Sequence, residues 1–137
     1  KVKNEGINIT IHAGEGDGVQ SIQEALDNGA KRIGHGVRII EDISVDNKLG
    51  PTADHILQNN IPLEVCITSN LHTNMYKNPQ DHPISRLHNL GFNISLNTDN
   101  RLMSNTSIDN ELNVAKAAGI EDPTSLLKYS ASDSFLN

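Results

Sequence analysis

The feature that most constrains the fold of this sequence is a regular alternation of short apolar segments with helix-like segments. The apolar segments are residues 7–11, 31–34, 63–66 and 92–96. Between the first two, Val19, Ile22 and Leu26 recur at the spacing of one helix face. Strands that alternate with helices pair in parallel through right-handed crossovers. The sequence therefore predicts an α/β fold.

Turn-forming and capping residues mark the predicted helix boundaries. Gly29 follows the first helix, and Pro51 and Pro83 lie at the start of two others. Ser107 is the predicted N-cap of a long helix whose buried face begins with Ile108. These boundaries place one helix after each predicted strand.

Two architectures share this alternation, an open doubly wound sheet and a (β/α)8 barrel, and both bind ligands at the carboxyl ends of their strands. The open sheet usually carries a glycine-rich phosphate loop, but neither G-x-G-x-x-G nor G-x-x-x-x-G-K occurs in this sequence. Polar residues follow each predicted strand instead. We therefore predict a (β/α)8 TIM barrel, of which four strand–helix units make half. Residues 1–137 would form one partial barrel domain without an internal boundary.

Composition narrows the expected partners and location. Acidic residues outnumber basic ones, 17 to 11, and no basic cluster is present, so nucleic acid is not an expected partner. The single cysteine, Cys66, excludes an internal disulfide and a multi-cysteine zinc site, and it fits a reducing compartment. No apolar run is long enough to cross a bilayer and no signal peptide is visible. We predict a cytoplasmic protein without a membrane partner.

The two ends of the sequence read as cut rather than natural. The chain begins at Lys1 without an initiating Met, close to a predicted strand, and it stops at Asn137 within a helix-like stretch. We expect the chain to be a piece of a longer protein. The sequence predicts no particular oligomeric state.

The first candidate functional residues follow the first apolar segment, in the string His12-Ala13-Gly14-Glu15. An imidazole can bind a metal, and a carboxyl group on the same loop can transfer a proton. The alternative is a flexible surface turn, since glycines recur in this loop.

Two further candidates follow later strands. His35 lies between Gly34 and Gly36, which let a ligand approach the imidazole closely, although a lone histidine is more often structural. Asp99 follows the fourth apolar segment, where it is either a metal ligand or part of a turn or helix cap. Because such residues follow successive strands, a shared metal site is favoured.

The remaining polar candidates carry weaker patterns. Thr68-Ser69-Asn70 ends the third predicted strand and either lines the pocket or forms a hydrogen-bonded turn. The other histidines are predicted to lie on the surface or on helix faces: His55, His72, His82 and His88.

Together these residues resemble the adenosine deaminase family of the metal-dependent amidohydrolases. The matching strings are Ile11-His12-Ala13-Gly14-Glu15, Arg32-Ile33-Gly34-His35-Gly36, Glu64-Val65-Cys66-x-Thr68-Ser69-Asn70 and Ser95-x-Asn97-Thr98-Asp99. The resemblance implies a zinc-containing (β/α)8 barrel, with this chain supplying strands five to eight. It also implies hydrolytic deamination of adenosine or 2'-deoxyadenosine, in purine salvage, to inosine or deoxyinosine and ammonia.

The resemblance further implies a role for each candidate. His12 and Asp99 would bind zinc, and Asp99 would also belong to the catalytic group. Glu15 would bind the substrate and donate a proton to ring nitrogen 1 of the purine. His35 would orient the attacking water and help to remove its proton. Asn100 stands where the family commonly has an Asp that hydrogen-bonds ring nitrogen 7, and an amide NH2 can also donate to that acceptor.

One part of the family pattern is missing from this sequence. The family takes two further zinc ligands from a His-x-His on its first strand, and no His-x-His occurs here. Because catalytic zinc sites ordinarily take at least three protein ligands, we expect those histidines upstream of Lys1. The isolated chain should then bind zinc poorly and be inactive.

Several alternatives share these motifs. Adenine deaminases tend to carry Asp at the position of Gly34, so the glycine favours a nucleoside. Activity as an aminodeoxyfutalosine deaminase is a second alternative. Activity as an AMP deaminase is disfavoured because the sequence has no basic cluster that could bind a 5′-phosphate. A non-catalytic barrel fragment is the alternative from another class.

Overall fold

Four parallel strands form one sheet whose spatial order follows the chain. The computed structural model describes residues 7–127. The strands are β1 (Thr10–Ala13), β2 (Arg32–His35), β3 (Leu63–Val65) and β4 (Ile94–Leu96). Neighbouring strands pair in the order β1-β2-β3-β4, all in parallel. The predicted parallel α/β arrangement is confirmed.

Helices occupy every connection between these strands, and two more follow β4. They are α1 (Val19–Asp27), α2 (Pro51–Gln58), α3 (Ile67–His72), α4 (Ile84–Asn89), α5 (Arg101–Ser104) and α6 (Ile108–Ala117), with 3-10 helices at Val37–Asp42 and Pro79–Asp81. The Ser107 hydroxyl accepts from the Asn110 backbone N–H at 3.2 Å, as predicted for an N-cap. No helix among residues 7–127 combines the length and apolarity needed to cross a membrane.

The strand order distinguishes the two candidate architectures. In a doubly wound sheet the order reverses at a switch point, whereas barrel strands follow one another around the sheet. The order here does not reverse. With right-handed crossovers, the helices then cover one face, and the fully buried Ile33, Leu63 and Ile94 pack in the core beneath them.

The other face of the sheet is polar. Side chains alternate between the faces of a strand, and on this face Arg32 Nε lies 3.3 Å from Glu64 Oε1. Arg32 Nε also donates to Thr10 Oγ1 at 3.0 Å. His12 follows Thr10 by two residues and shares its face.

Several predicted boundaries are wrong by a few residues. β1 begins at Thr10, so His12 lies within the strand rather than after it. β3 ends at Val65, and Thr68-Ser69-Asn70 belongs to α3 rather than to the strand. Ile108, predicted to begin a buried face, is 39% exposed. The C-terminal helix-like stretch, from residue 128 onward, lies outside the described residues.

A buried carboxyl group fixes the start of α3. Glu111, on α6, is fully buried. Its Oε1 accepts from the Thr106 hydroxyl at 2.9 Å and its Oε2 from the Thr68 backbone N–H at 3.3 Å. The first helical turns leave backbone N–H groups without intrahelical partners. Glu111 therefore satisfies such a donor in α3 and anchors that helix.

Replacing Glu111 should destabilise the fold. Glu111→Ala leaves the Thr68 N–H buried without an acceptor, which costs about 1–3 kcal/mol, before any cavity is counted. Glu111→Gln keeps an acceptor oxygen and should lose less. Denaturant unfolding of the intact protein measures both, and equal losses would contradict this role.

Candidate active site

His12 and His35 leave neighbouring strands at the same edge of the sheet. In the β1–β2 register His12 is opposite Gly34, and Ala13 is opposite His35. The two imidazole rings meet edge to face, with centroids 5.2 Å apart and planes at 82°. A Cβ at position 34 would lie 2.5 Å from His12 Cδ2. Gly34 therefore provides the space that the His12 ring occupies.

His35 is held in an unusual backbone conformation. Its φ is +63° and that of Gly36 is +69°. A positive φ is uncommon for a residue other than glycine, and such strain concentrates at functional sites. The side chain is 2% exposed, and this burial lowers the pKa of His35 although the Glu15 carboxylate acts to raise it. The imidazole is therefore mainly neutral near pH 7.

Glu15 and His35 share a hydrogen-bond donor, Asn70. Asn70 Nδ2 donates to Glu15 Oε1 at 3.2 Å and lies 3.3 Å from His35 Nδ1. Glu15 Oε2 lies 3.5 Å from His35 Nε2. Asn70 is fully buried, whereas the Glu15 side chain is 28% exposed. The carboxyl group thus sits between a rigid amide and the solvent.

Asp99 is oriented by a second residue of α3. The Ser69 hydroxyl donates to Asp99 Oδ2 at 2.8 Å. Asp99 is exposed and has a φ of +56°. It does not cap the next helix, so the cap alternative from the sequence does not describe it. That leaves its carboxylate directed by Ser69 and open to a ligand.

Asn100 performs the capping. Its Oδ1 accepts from the backbone N–H groups of Leu102 and Met103, both at 3.1 Å. Within the described part of the chain its Nδ2 group makes no hydrogen bond. The amide oxygen therefore holds the start of α5, and the NH2 group is left to donate to a ligand.

His82 was predicted to lie on the surface or on a helix face, and this is wrong. It is 3% exposed, and its Nε2 lies 3.2 Å from Asn70 Oδ1. Its Nδ1 accepts from the Ile84 backbone N–H at 3.2 Å. Burial lowers the pKa of His82 to about 4. The available signal is its position just before Pro83, where an imidazole can reach the first N–H groups of a helix.

The predicted residues form one connected group. His12 touches His35, His35 and Glu15 share Asn70, and Asp99 is bonded to the neighbouring Ser69. A cavity of about 330 Å³ opens beside Glu15, within the size range of small-molecule sites. Its lining is formed by Glu15 with Gly16, Arg38, Thr73 and Met75, and does not include His12, His35 or Asp99.

The side chains of His12 and Asp99 are suited to form part of a zinc site. Imidazole nitrogen and carboxylate oxygen are ligands that zinc prefers, and the His12 ring makes no hydrogen bond within residues 7–127. Among these residues no group of three His, Cys, Asp or Glu side chains is placed to hold a metal. His12 and Asp99 could therefore hold zinc only together with further ligands.

Comparisons with known proteins agree on one family. The family model described as adenosine deaminase matches residues 1–135. Adenosine deaminase 1 of Streptomyces coelicolor is 49% identical over 115 residues, which cover 80% of this chain and 29% of that protein. The chain thus spans less than a third of the length of this curated relative.

Solved structures are similar over nearly the whole chain. Adenine deaminase from Arthrobacter aurescens matches with a TM-score of 0.83 and 25% identity, covering 98% of this chain and 40% of that one. The N6-methyl-AMP deaminase of Arabidopsis thaliana matches with a TM-score of 0.78 and 26% identity, covering 98% and 38%. The predicted fold class, four units of a (β/α)8 barrel, is confirmed.

A side chain at position 34 should disturb the candidate metal ligand His12 more than the fold. In Gly34→Ala the new Cβ displaces the His12 ring, and we expect zinc affinity of the intact protein to fall about tenfold or more. Competition with a zinc indicator measures this. Gly16→Ala is the matched control, because nothing lies within 4 Å of its added Cβ. Equal affinities in the two variants would contradict the argument.

Proposed function

The chain belongs to the adenosine deaminase family, and we propose that it supplies the acid–base half of a zinc-dependent site that hydrolyses adenosine or 2'-deoxyadenosine. The products are inosine or deoxyinosine and ammonia. The observation that carries the proposal is the hydrogen-bonded contact of Glu15, His35 and Asn70 at the strand ends, beside His12. The reaction belongs to purine salvage, and the single cysteine supports a cytoplasmic location.

In this proposal His12 and Asp99 bind zinc, together with ligands from outside this chain. When bound, zinc lowers the pKa of a coordinated water to roughly 7, which makes hydroxide available near neutral pH. The hydrogen bond from Ser69 supports the assignment of Asp99, because metal-binding carboxylates are commonly oriented in this way.

In this proposal Glu15 delivers a proton to the purine, and His35 orients the attacking water. Attack on carbon 6 of the purine requires a proton at the adjacent ring nitrogen, and Glu15 delivers it. The partial exposure of Glu15 beside a cavity lets a ring approach its carboxyl group. His35, buried and neutral near pH 7, orients the attacking water from beside Glu15, whose Oε2 lies 3.5 Å from His35 Nε2.

The preferred substrate in this proposal is a nucleoside. The relative named adenosine deaminase is 49% identical, whereas the structures named adenine deaminase and N6-methyl-AMP deaminase are 25% and 26% identical. Gly34 also favours a nucleoside over adenine. The free NH2 group of Asn100 is suited to ring nitrogen 7, which is an acceptor.

The function is tested on the complete protein and on this chain alone. We expect the complete protein to contain about one zinc per site and to convert adenosine to inosine, followed by the change in ultraviolet absorbance. The isolated 137-residue chain should bind zinc poorly and show no turnover. Turnover by the isolated chain would refute the shared-site proposal, and a zinc-free, inactive complete protein would favour the non-catalytic alternative.

Asn100 tests the contact to the purine. Asn100→Leu removes the donor and the cap of α5, and we expect KM to rise or kcat to fall by about tenfold, with a stability loss of about 1 kcal/mol. Asn100→Asp keeps the cap and restores the residue that the family commonly carries. It should therefore remain within about threefold of the parent at acidic pH, where its carboxyl group can carry the donor hydrogen. Unchanged kcat and KM for Asn100→Leu would refute the contact between Asn100 and the purine.

A further inference from the structure

His82 has one arrangement of its ring hydrogen that satisfies both of its neighbours. Its Nδ1 faces the Ile84 backbone N–H at 3.2 Å, and a backbone N–H can only donate. Nδ1 is therefore an acceptor, and the hydrogen of the neutral ring is on Nε2. Tyr76 packs edge to face against the ring, with centroids 4.9 Å apart. The donor Nε2–H is thereby fixed in direction.

This donor sets the orientation of the Asn70 amide. His82 Nε2 lies 3.2 Å from Asn70 Oδ1, so the amide oxygen faces His82. The oxygen and nitrogen of an amide are nearly the same size, and only hydrogen bonds decide which way the group points. Asn70 is fully buried, so no solvent competes for either atom. The NH2 group must then point to the opposite side.

On that side the NH2 group meets both proton-handling residues. Asn70 Nδ2 lies 3.2 Å from Glu15 Oε1 and 3.3 Å from His35 Nδ1, so one hydrogen points to each acceptor. Because Nδ1 of His35 accepts, the hydrogen of its neutral ring is on Nε2, the atom 3.5 Å from Glu15 Oε2. The direction of every hydrogen bond from Ile84 to Glu15 is therefore determined.

We propose that His82 and Asn70 are positioning residues for the site: His82 fixes the Asn70 amide, and the amide fixes the carboxyl group of Glu15 and the ring of His35. The inference rests on the proposed deaminase function for its kinetic readout only. It assigns His35 a donor at Nε2, so His35 orients the attacking water by donating a hydrogen bond and does not itself take the proton of that water, unlike the role that the family resemblance implies. His82 touches no reacting atom and acts entirely through Asn70.

Two substitutions of His82 in the complete, zinc-loaded protein separate positioning from packing. His82→Phe keeps a ring against Tyr76 but has no donor, and His82→Gln carries an N–H donor near the place of Nε2. We expect His82→Phe to lower kcat on adenosine by about 10- to 100-fold with little change in KM. His82→Gln should recover most of this loss. His88→Phe, on α4 and outside the hydrogen-bond network, is the control and should retain parent kcat.

A second variant decides the question if His82→Phe fails to fold. Asn70→Asp is close to isosteric and keeps the acceptor for His82, but it replaces the NH2 donor with an oxygen. It should lower kcat by a similar factor. The buried carboxyl group beside Glu15 also costs stability, so kcat is compared at a temperature at which circular dichroism shows both proteins folded. Parent-like kcat in Asn70→Asp, or equal losses in His82→Phe and His82→Gln, would overturn the proposal.

A readout independent of turnover keeps this inference separate from the proposed function. Nitrogen-15 NMR of labelled histidine in the complete protein should show both His82 and His35 neutral with hydrogen on Nε2 near pH 7. In His82→Phe the His35 signals should move toward a mixture of the two tautomers. This pattern in a protein that does not deaminate adenosine would support positioning by His82 and Asn70 while refuting the proposed deaminase function. Hydrogen on Nδ1 of His82 would overturn the positioning proposal whatever the activity.

Discussion

The parallel pairing of β1 with β2 is the constraint on which the site depends. His35 is opposite Ala13, the residue after His12, so the two histidines lie at the same carboxyl edge of the sheet, offset by one residue. Their rings are therefore in contact. An antiparallel pair would send successive strand ends to opposite edges. The sheet therefore fixes the two imidazoles, and the loop after β1 needs only to bring Glu15 beside them.

A single helical turn supplies the polar groups that organise the rest. Ser69 and Asn70 are consecutive residues of α3, and consecutive side chains on a helix diverge by about 100°. One therefore reaches Asp99 while the other reaches Glu15 and His35. Glu111 binds the backbone at Thr68, immediately before this pair. A buried carboxylate on α6 thus controls the geometry of both sides of the site.

The residues at strand ends could be predicted from the sequence because topology alone places them. Parallel strands align their carboxyl ends, so the positions of His12, His35 and Asp99 followed from periodicity, without any knowledge of packing. The polar face of the sheet explains why its strands are interrupted by polar residues, unlike the nearly continuous apolar runs of a parallel sheet that is apolar on both faces. The contact between Asn70 and His82 could not be predicted in this way. That contact depends on how α3 packs against the segment before α4. In addition, Ile-Thr-Ser-Asn is a poor helix-forming sequence, so the start of α3 is predicted as the end of a strand.

Asn100 joins two properties that most proteins assign to separate residues. Its oxygen holds the first turn of α5, while its nitrogen remains available to a ligand. An exchange that removes the side-chain oxygen therefore alters local folding and recognition in the same step. The side chains that can hold this first turn are short and carry an acceptor near the backbone. Recognition of any ligand by this side chain is thereby tied to the stability of a four-residue helix.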